Sequence, residues 1–127
     1  MNTRDTGEIA EMEAQLALKR RGWTILEPFG HEQAYDFVAE KDGEFKRVQS
    51  KNGRLDGGSI DVTVCTHGSS GGVRTYGSDE IDCFSVYCTE TDSVYLVPVE
   101  EAPNKNMRLR VKESSSHNVR MAEEYEI

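Results

Sequence analysis

Cysteine is scarce in this chain: Cys65, Cys83 and Cys88 are the whole complement. The count is odd and no two stand at CxxC spacing, which argues against a disulfide framework and against a zinc site. Three ordinary buried thiols is the better reading. Histidine is equally sparse, and His31, His67 and His117 lie without ligand spacing. No apolar run approaches the roughly 20 residues that span a bilayer, and Met1 to Gly7 lacks the apolar core of a secretion signal. A soluble, cytosolic protein with no membrane partner is expected. There is no internal repeat and no interdomain linker, and 127 residues suffice for one domain with a modest core.

Positive charge is also in deficit. The formal net charge is −8, which by itself argues against a nucleic-acid partner, since phosphate repels an acidic surface. The deficit is uneven, however. Residues 43–78 hold Lys46, Arg47, Lys51, Arg54 and Arg74 against Glu44, Asp56 and Asp61, a net +2, so the remainder carries −10. One basic segment inside an acidic shell is compatible with a DNA-facing cleft and a solvated outer surface.

Residues 7–21 have helical periodicity, with Ile9, Met12 and Leu16 in one apolar row and Ala10, Ala14, Ala17 and Leu18 in another. Thr6 is the candidate N-cap, and Gly22 is placed to end the helix. Residues 23–26 read as a short strand closed by Glu27-Pro28. Residues 34–40 and 44–51 read as two strands joined by an Asp42-Gly43 hairpin turn. Residues 59–65 alternate as a third strand. Residues 66–78, rich in Gly and Ser, read as a loop carrying Arg74 and Tyr76. After one short turn at Ser78-Asp79-Glu80, strands are expected at 83–88 and 94–99, with a last one at 108–111. Tyr87, Tyr95 and Phe84 read as core. The fold class is mixed α/β (α+β): residues 1–111 form one domain, and residues 112–127 read as a polar C-terminal tail or oligomer arm.

The chemically informative feature is Asp36 followed by Gln49-Ser50-Lys51. Side chains two apart on a strand share a face, so Gln49 and Lys51 point one way and Val48 and Ser50 the other. The hairpin brings Asp36 beside them. A carboxylate, an amide oxygen and an ammonium at one sheet end suit phosphodiester hydrolysis. A hard cation such as Mg²⁺ takes oxygen ligands together with water and substrate phosphate, and the backbone carbonyl of Ser50 offers a further oxygen. A lysine stabilises the charge that builds up in the transition state. The same pair also fits a plain surface salt bridge. Lys46, Arg47 and Arg54 flank the site and, with Arg74 and Tyr76, are the candidate DNA contacts. Asp61 and Thr63 share a face on the third strand and are candidates to touch bases.

The ordered stretches GEIAE, RRGWTILEPFG, YDFVAE, RVQSKNGRL and DEIDCFSVYCTETDSVYLVPVEE resemble the PD-(D/E)XK nuclease superfamily over roughly residues 7–111. The resemblance is to the branch that includes group I intron homing endonucleases and, more distantly, to archaeal Holliday junction resolvases. It implies a restriction-endonuclease-like core, a central mixed β-sheet flanked by helices, and a Mg²⁺-dependent DNA endonuclease in which Mn²⁺ can substitute. By family spacing, Glu11 is the acid four positions after the helix-opening Gly7, Asp36 is the metal-binding aspartate, and Gln49-Ser50-Lys51 is the (D/E)XK triplet. Glu11, Asp36, Gln49 and Lys51 are then catalytic, with Glu11, Asp36, Gln49 and the Ser50 carbonyl toward the metal. Tyr35 stands where the family name has Pro, and Gln49 replaces the second acid, as in the homing-endonuclease branch. Cutting both strands calls for a homo-oligomer, a dimer or tetramer. A junction resolvase, or a nuclease-fold module that binds DNA without cutting it, fits the same residues.

Overall fold

The computed structural model describes residues 1–67, 73–111 and 119–127. Helix α1 runs Thr3–Arg20. It begins before the expected residue 7 because Asn2, not Thr6, caps it: the Asn2 side chain accepts the Asp5 N–H at 2.9 Å, and the Asp5 carboxylate accepts the Asn2 N–H. This reciprocal pairing satisfies N–H groups that a helix start otherwise leaves open. Gly22 ends the helix as expected, at φ +93°, a region costly for any residue with a Cβ. Of the two apolar rows, Ala10, Ala14 and Leu18 are buried, whereas Met12 and Leu16 are exposed. The alanines let α1 approach the sheet closely.

The strands are β1 (Thr24–Leu26), β2 (Phe37–Lys41), β3 (Glu44–Asp56), β4 (Ser59–Thr63), β5 (Thr66–His67), β6 (Val73–Arg74), β7 (Cys83–Cys88), β8 (Ser93–Pro98) and β9 (Asn106–Arg110). β5 and β6 pair with each other inside the stretch expected as loop, and the other seven form one sheet. β3 runs five residues beyond its expected end and serves three partners. It pairs antiparallel with β2 over 44–48, parallel with β7 over 48–53, and antiparallel with β4 over 54–56. Asp42 and Gly43, both at positive φ, make the two-residue β2–β3 turn. Gly53 makes the long β3 possible: a Cβ there would lie 2.5 Å from Ile60 Cγ2 and 2.9 Å from Val86 Cγ1.

Apolar side chains collect on both sheet faces. Under α1, Phe37, Ala39, Val48, Cys83, Tyr87 and Val94 meet the helix. On the other face, Ile60 and Val62 of β4 and Met107 and Leu109 of β9 pack with Phe84, Val86, Tyr95 and Val97 of β7 and β8. All six residues of β7 are therefore buried. One α-helix, on one face only, is present among the described residues, together with two 3₁₀ turns at Val99–Glu101 and Ala122–Glu124. None is long and apolar enough to cross a membrane.

Of the expected tail or arm over 112–127, residues 119–127 instead close the body. Ala122 is buried, Tyr125 and Ile127 exchange backbone hydrogen bonds with Leu96 and Val94, and Met121 bridges Arg110. Apolar Met121, Ala122, Tyr125 and Ile127 lie among acidic neighbours, so no regular period betrays them in the sequence.

Candidate active site

Asp36 sits just before β2, where the β2–β3 ladder stops. Its backbone N–H donates to the Val48 carbonyl at 2.8 Å, and its Oδ2 accepts the Ser50 N–H at 2.7 Å. The carboxylate thus takes the place of a ladder carbonyl on β3 and is held there by the backbone. Across from it, α1 presents Glu11. Glu11, Asp36, Gln49 and Ser50 line one open cleft of about 310 Å³, with Thr3, Arg4, Gly7 and Glu8 at its helical wall. Glycine at position 7 leaves open space beside the helix there, with no atom within 4 Å of a notional Cβ.

Carboxylates crowd this cleft. Partial burial, helped by the charges of Asp36, Glu27 and Glu8, pushes the Glu11 pKa up to about 6. Burial also raises Asp36 above the ordinary aspartate range, although the Ser50 N–H and the Lys51 charge pull it back. Glu27 contributes to both shifts, and Gln15 Nε2 donates to it at 2.7 Å. Glu27 had no motif to mark it. It lies beyond β1, and only the packing of α1 against β1 brings it close.

Lys51 shares its strand face with Gln49 but does not line the cleft. Its Nζ stands 5.6 Å from the centroid of the Tyr76 ring, which meets Phe84 edge-on at 5.9 Å. Burial lowers the Lys51 pKa, against the opposing pull of Asp36 and the Cys65 thiol. The ammonium acts on Asp36 through its charge. Ser50 faces the helix side, where its hydroxyl lies 2.9 Å from that of Ser85.

The candidate DNA contacts separate. Arg47 is consumed within the protein. It donates to Asp82 through Nε at 3.0 Å, and to the carbonyls of Asp79 and Ser78 at 2.9 and 2.8 Å. The mutual hydrogen bonding lowers the Asp82 pKa and raises that of Arg47. Arg47 therefore anchors the 78–82 turn, in place of the free phosphate contact expected from its spacing to Gln49. Asp82, four residues past Ser78, carried no signal of this role. Tyr76 is likewise engaged with Lys51 and Phe84. Lys46 pairs with Glu44 at 3.4 Å. Arg54 is exposed, and Arg74 is placed by its backbone pairing with Thr66.

The donor set of the cleft is oxygen only: the carboxylates of Glu8, Glu11 and Asp36, the Gln49 amide and the Ser50 carbonyl. Among the described residues, no three His, Cys, Asp or Glu side chains gather in metal-holding geometry. Such a set does not suit a closed zinc cage. It fits a hard divalent cation that keeps waters and takes substrate phosphate as a ligand.

A family model described as PD-(D/E)XK endonuclease matches residues 1–127, the whole chain. The chain belongs to the PD-(D/E)XK endonuclease family. Among solved structures, the bacterial homing endonuclease I-Ssp6803I has the same fold. The TM-score is 0.80 at 22% sequence identity, over 99% of this chain and 89% of that one. No curated protein matches. The restriction-endonuclease-like fold anticipated from the sequence is therefore present, with a mixed seven-stranded sheet and, among the described residues, one α-helix. The chain is a nuclease by family, and PD-(D/E)XK nucleases generally use divalent metal ions.

Proposed function

We propose that this PD-(D/E)XK endonuclease hydrolyses phosphodiesters of double-stranded DNA with Mg²⁺, or Mn²⁺ in its place, in the manner of an intron homing enzyme. The observation that carries the reading is the convergence of Glu11, Asp36 and Gln49 on one cleft, with the Asp36 carboxylate fixed by the Ser50 N–H. In this reading Glu11, Asp36, the Gln49 amide oxygen and the Ser50 carbonyl would hold the ion. The bound ion supplies Lewis-acid polarisation of the phosphate and a more acidic water. Lys51, its pKa lowered yet its charge kept near Asp36, stabilises the negative charge gathering on the phosphate. Gln49 adds an oxygen but no charge, so the DNA phosphate itself completes the charge balance of the site. Two copies acting together would cut both strands.

The test is nicking of supercoiled plasmid, linear duplex and a four-way junction with and without Mg²⁺ or Mn²⁺. Metal-dependent nicking lost in both Asp36→Ala and Lys51→Ala supports the assignment. Wild type that binds DNA but never nicks any of the three, each carrying a sequence it selects from a random duplex library, overturns it in favour of a module that only binds. Cutting confined to the junction makes the protein a resolvase.

A further inference from the structure

The outer face of the β3–β4–β9 half of the sheet has no role in the cleft chemistry. Its strands alternate cleanly. Gly53, Ile60, Val62, Met107 and Leu109 are buried, while Asn52, Arg54, Thr63, Asn106 and Arg108 are exposed and Asp61 is partly exposed. These six polar residues, with Val62, line a shallow trough of about 500 Å³. A solvated sheet face needs only to be polar. This one is ordered as well. Asp61 stands opposite Arg54 on one side and Arg108 on the other, and Thr63 stands opposite Asn106. Arg108 Nε lies 3.1 Å from Asp61 Oδ1, and Thr63 Oγ1 lies 3.3 Å from Asn106 Oδ1. Two arginines against one aspartate make the face locally positive in a chain of net charge −8.

We propose that the β4–β9 ribbon enters the major groove next to the scissile phosphate and reads bases, Arg108 taking guanine and Asn106 adenine. The proposal rests on the DNA-cutting reading above and adds to it where specificity resides. First, the trough continues the cleft along one strand face: Ser50 lines the cleft, and Asn52 and Arg54 line the trough. At roughly 3.3 Å per residue, Arg54 lies about 13 Å from Ser50. That is about four base-pair steps of ~3.4 Å. Second, two antiparallel strands ~4.8 Å apart suit a major groove about 12 Å wide, which admits a two-stranded ribbon, with β3 along its rim. Third, the side-chain types are those whose paired donors and acceptors distinguish base edges in that groove. Asp61 Oδ1, buried and without a hydrogen bond, attracts the exposed Arg108 guanidinium as an ion pair.

Selection from a randomised duplex library in Mg²⁺-free buffer, read by sequencing the bound fraction, tests this without requiring cleavage. Wild type is expected to enrich defined base pairs. Arg108→Lys keeps the charge but removes the planar fork. It should lower the preference for guanine at one base pair roughly 5- to 150-fold, the range of a bidentate contact. Asn106→Ala should relax a different, neighbouring position. Both residues are on the surface, and unchanged melting temperatures would show that the variants fold. An affinity loss equal on all sequences, or unchanged preferences, overturns the proposal, as does wild type that binds no DNA. Plasmid nicking measured in parallel separates the two readings. Cutting without base preference removes this proposal and leaves the nuclease. Selective binding without cutting leaves the ribbon as a reader and removes the hydrolysis.

Discussion

Glu11 offers a quantitative test of the acidic cleft. Its pKa is raised from 4.5 to about 6 by burial and by Asp36, Glu27 and Glu8. A raised carboxylate pKa means that folding favours the protonated form. The corresponding stability is complete below pH 4.5 and is lost as pH rises through about 6. The full difference corresponds to at most about 2 kcal/mol, and because Glu11 is only partly buried, solvent screening reduces it to about 1 kcal/mol or less. Glu11→Gln removes the negative charge at every pH. In the presence of a chelator it should therefore stabilise the protein at pH 8 by up to about 1 kcal/mol, some 3–5 °C in melting temperature for a domain of this size, and have little effect at pH 4.5. Added Mn²⁺ should reverse the order. A cation at ten times its Kd stabilises wild type by about 1.4 kcal/mol, whereas the variant, short of one ligand, gains less. Thermal unfolding at pH 4.5, 6 and 8, with chelator or with Mn²⁺, measures all of this. A Glu11→Gln effect that is the same at every pH, or a variant that gains as much from Mn²⁺ as wild type, refutes the reasoning.

Three further outcomes are expected. Gln49→Glu adds a charged ligand and should tighten Mn²⁺ binding on the order of tenfold, given the strength of one more charge near a divalent ion; an unchanged calorimetric titration would remove Gln49 from the ligand set. Arg47→Ala releases the 78–82 turn from the guanidinium and leaves Asp82 with only the backbone N–H at position 47, costing about 1 kcal/mol at this half-exposed pair. Hydrogen exchange at Glu80 and Ile81, whose N–H groups donate to the Gly77 carbonyl, should accelerate, and unaltered exchange would show that Arg47 is not the anchor. Gly53→Ala drives a methyl into Ile60 and Val86, stiff β-branched neighbours. It should cost about 1–3 kcal/mol by denaturant titration; no loss would mean that β3 can shift away freely.

Local signals in the chain were sufficient for much of this architecture. Asp42-Gly43 needs positive φ at both positions, which those residues tolerate, so the β2–β3 hairpin was legible from two letters. A 3.6-residue period marked α1, because burial on one face imposes it, whereas short apolar runs marked β7 and β8, β7 being buried throughout. Asp36 and the Gln49-Ser50-Lys51 triplet stood out because strand alternation converts spacing into direction. Family spacing, not the helical wheel, singled out Glu11, since Glu8, Glu11 and Glu13 look alike along the helix. What tertiary structure alone decided involves partners far apart in sequence. Arg47 looked like a free cation until Asp82, thirty-five positions away, took its guanidinium. Lys51 shares the Gln49 strand face and acts electrostatically on Asp36, but only the tertiary structure sets its ammonium 5.6 Å from the Tyr76 ring. Residues 119–127 read as a tail because their apolar side chains fill gaps between strands and follow no period. Periodic patterns record which side of an element is covered. They do not record which distant group does the covering, and at this cleft that group sets the charge, the pKa and the reach of every catalytic candidate.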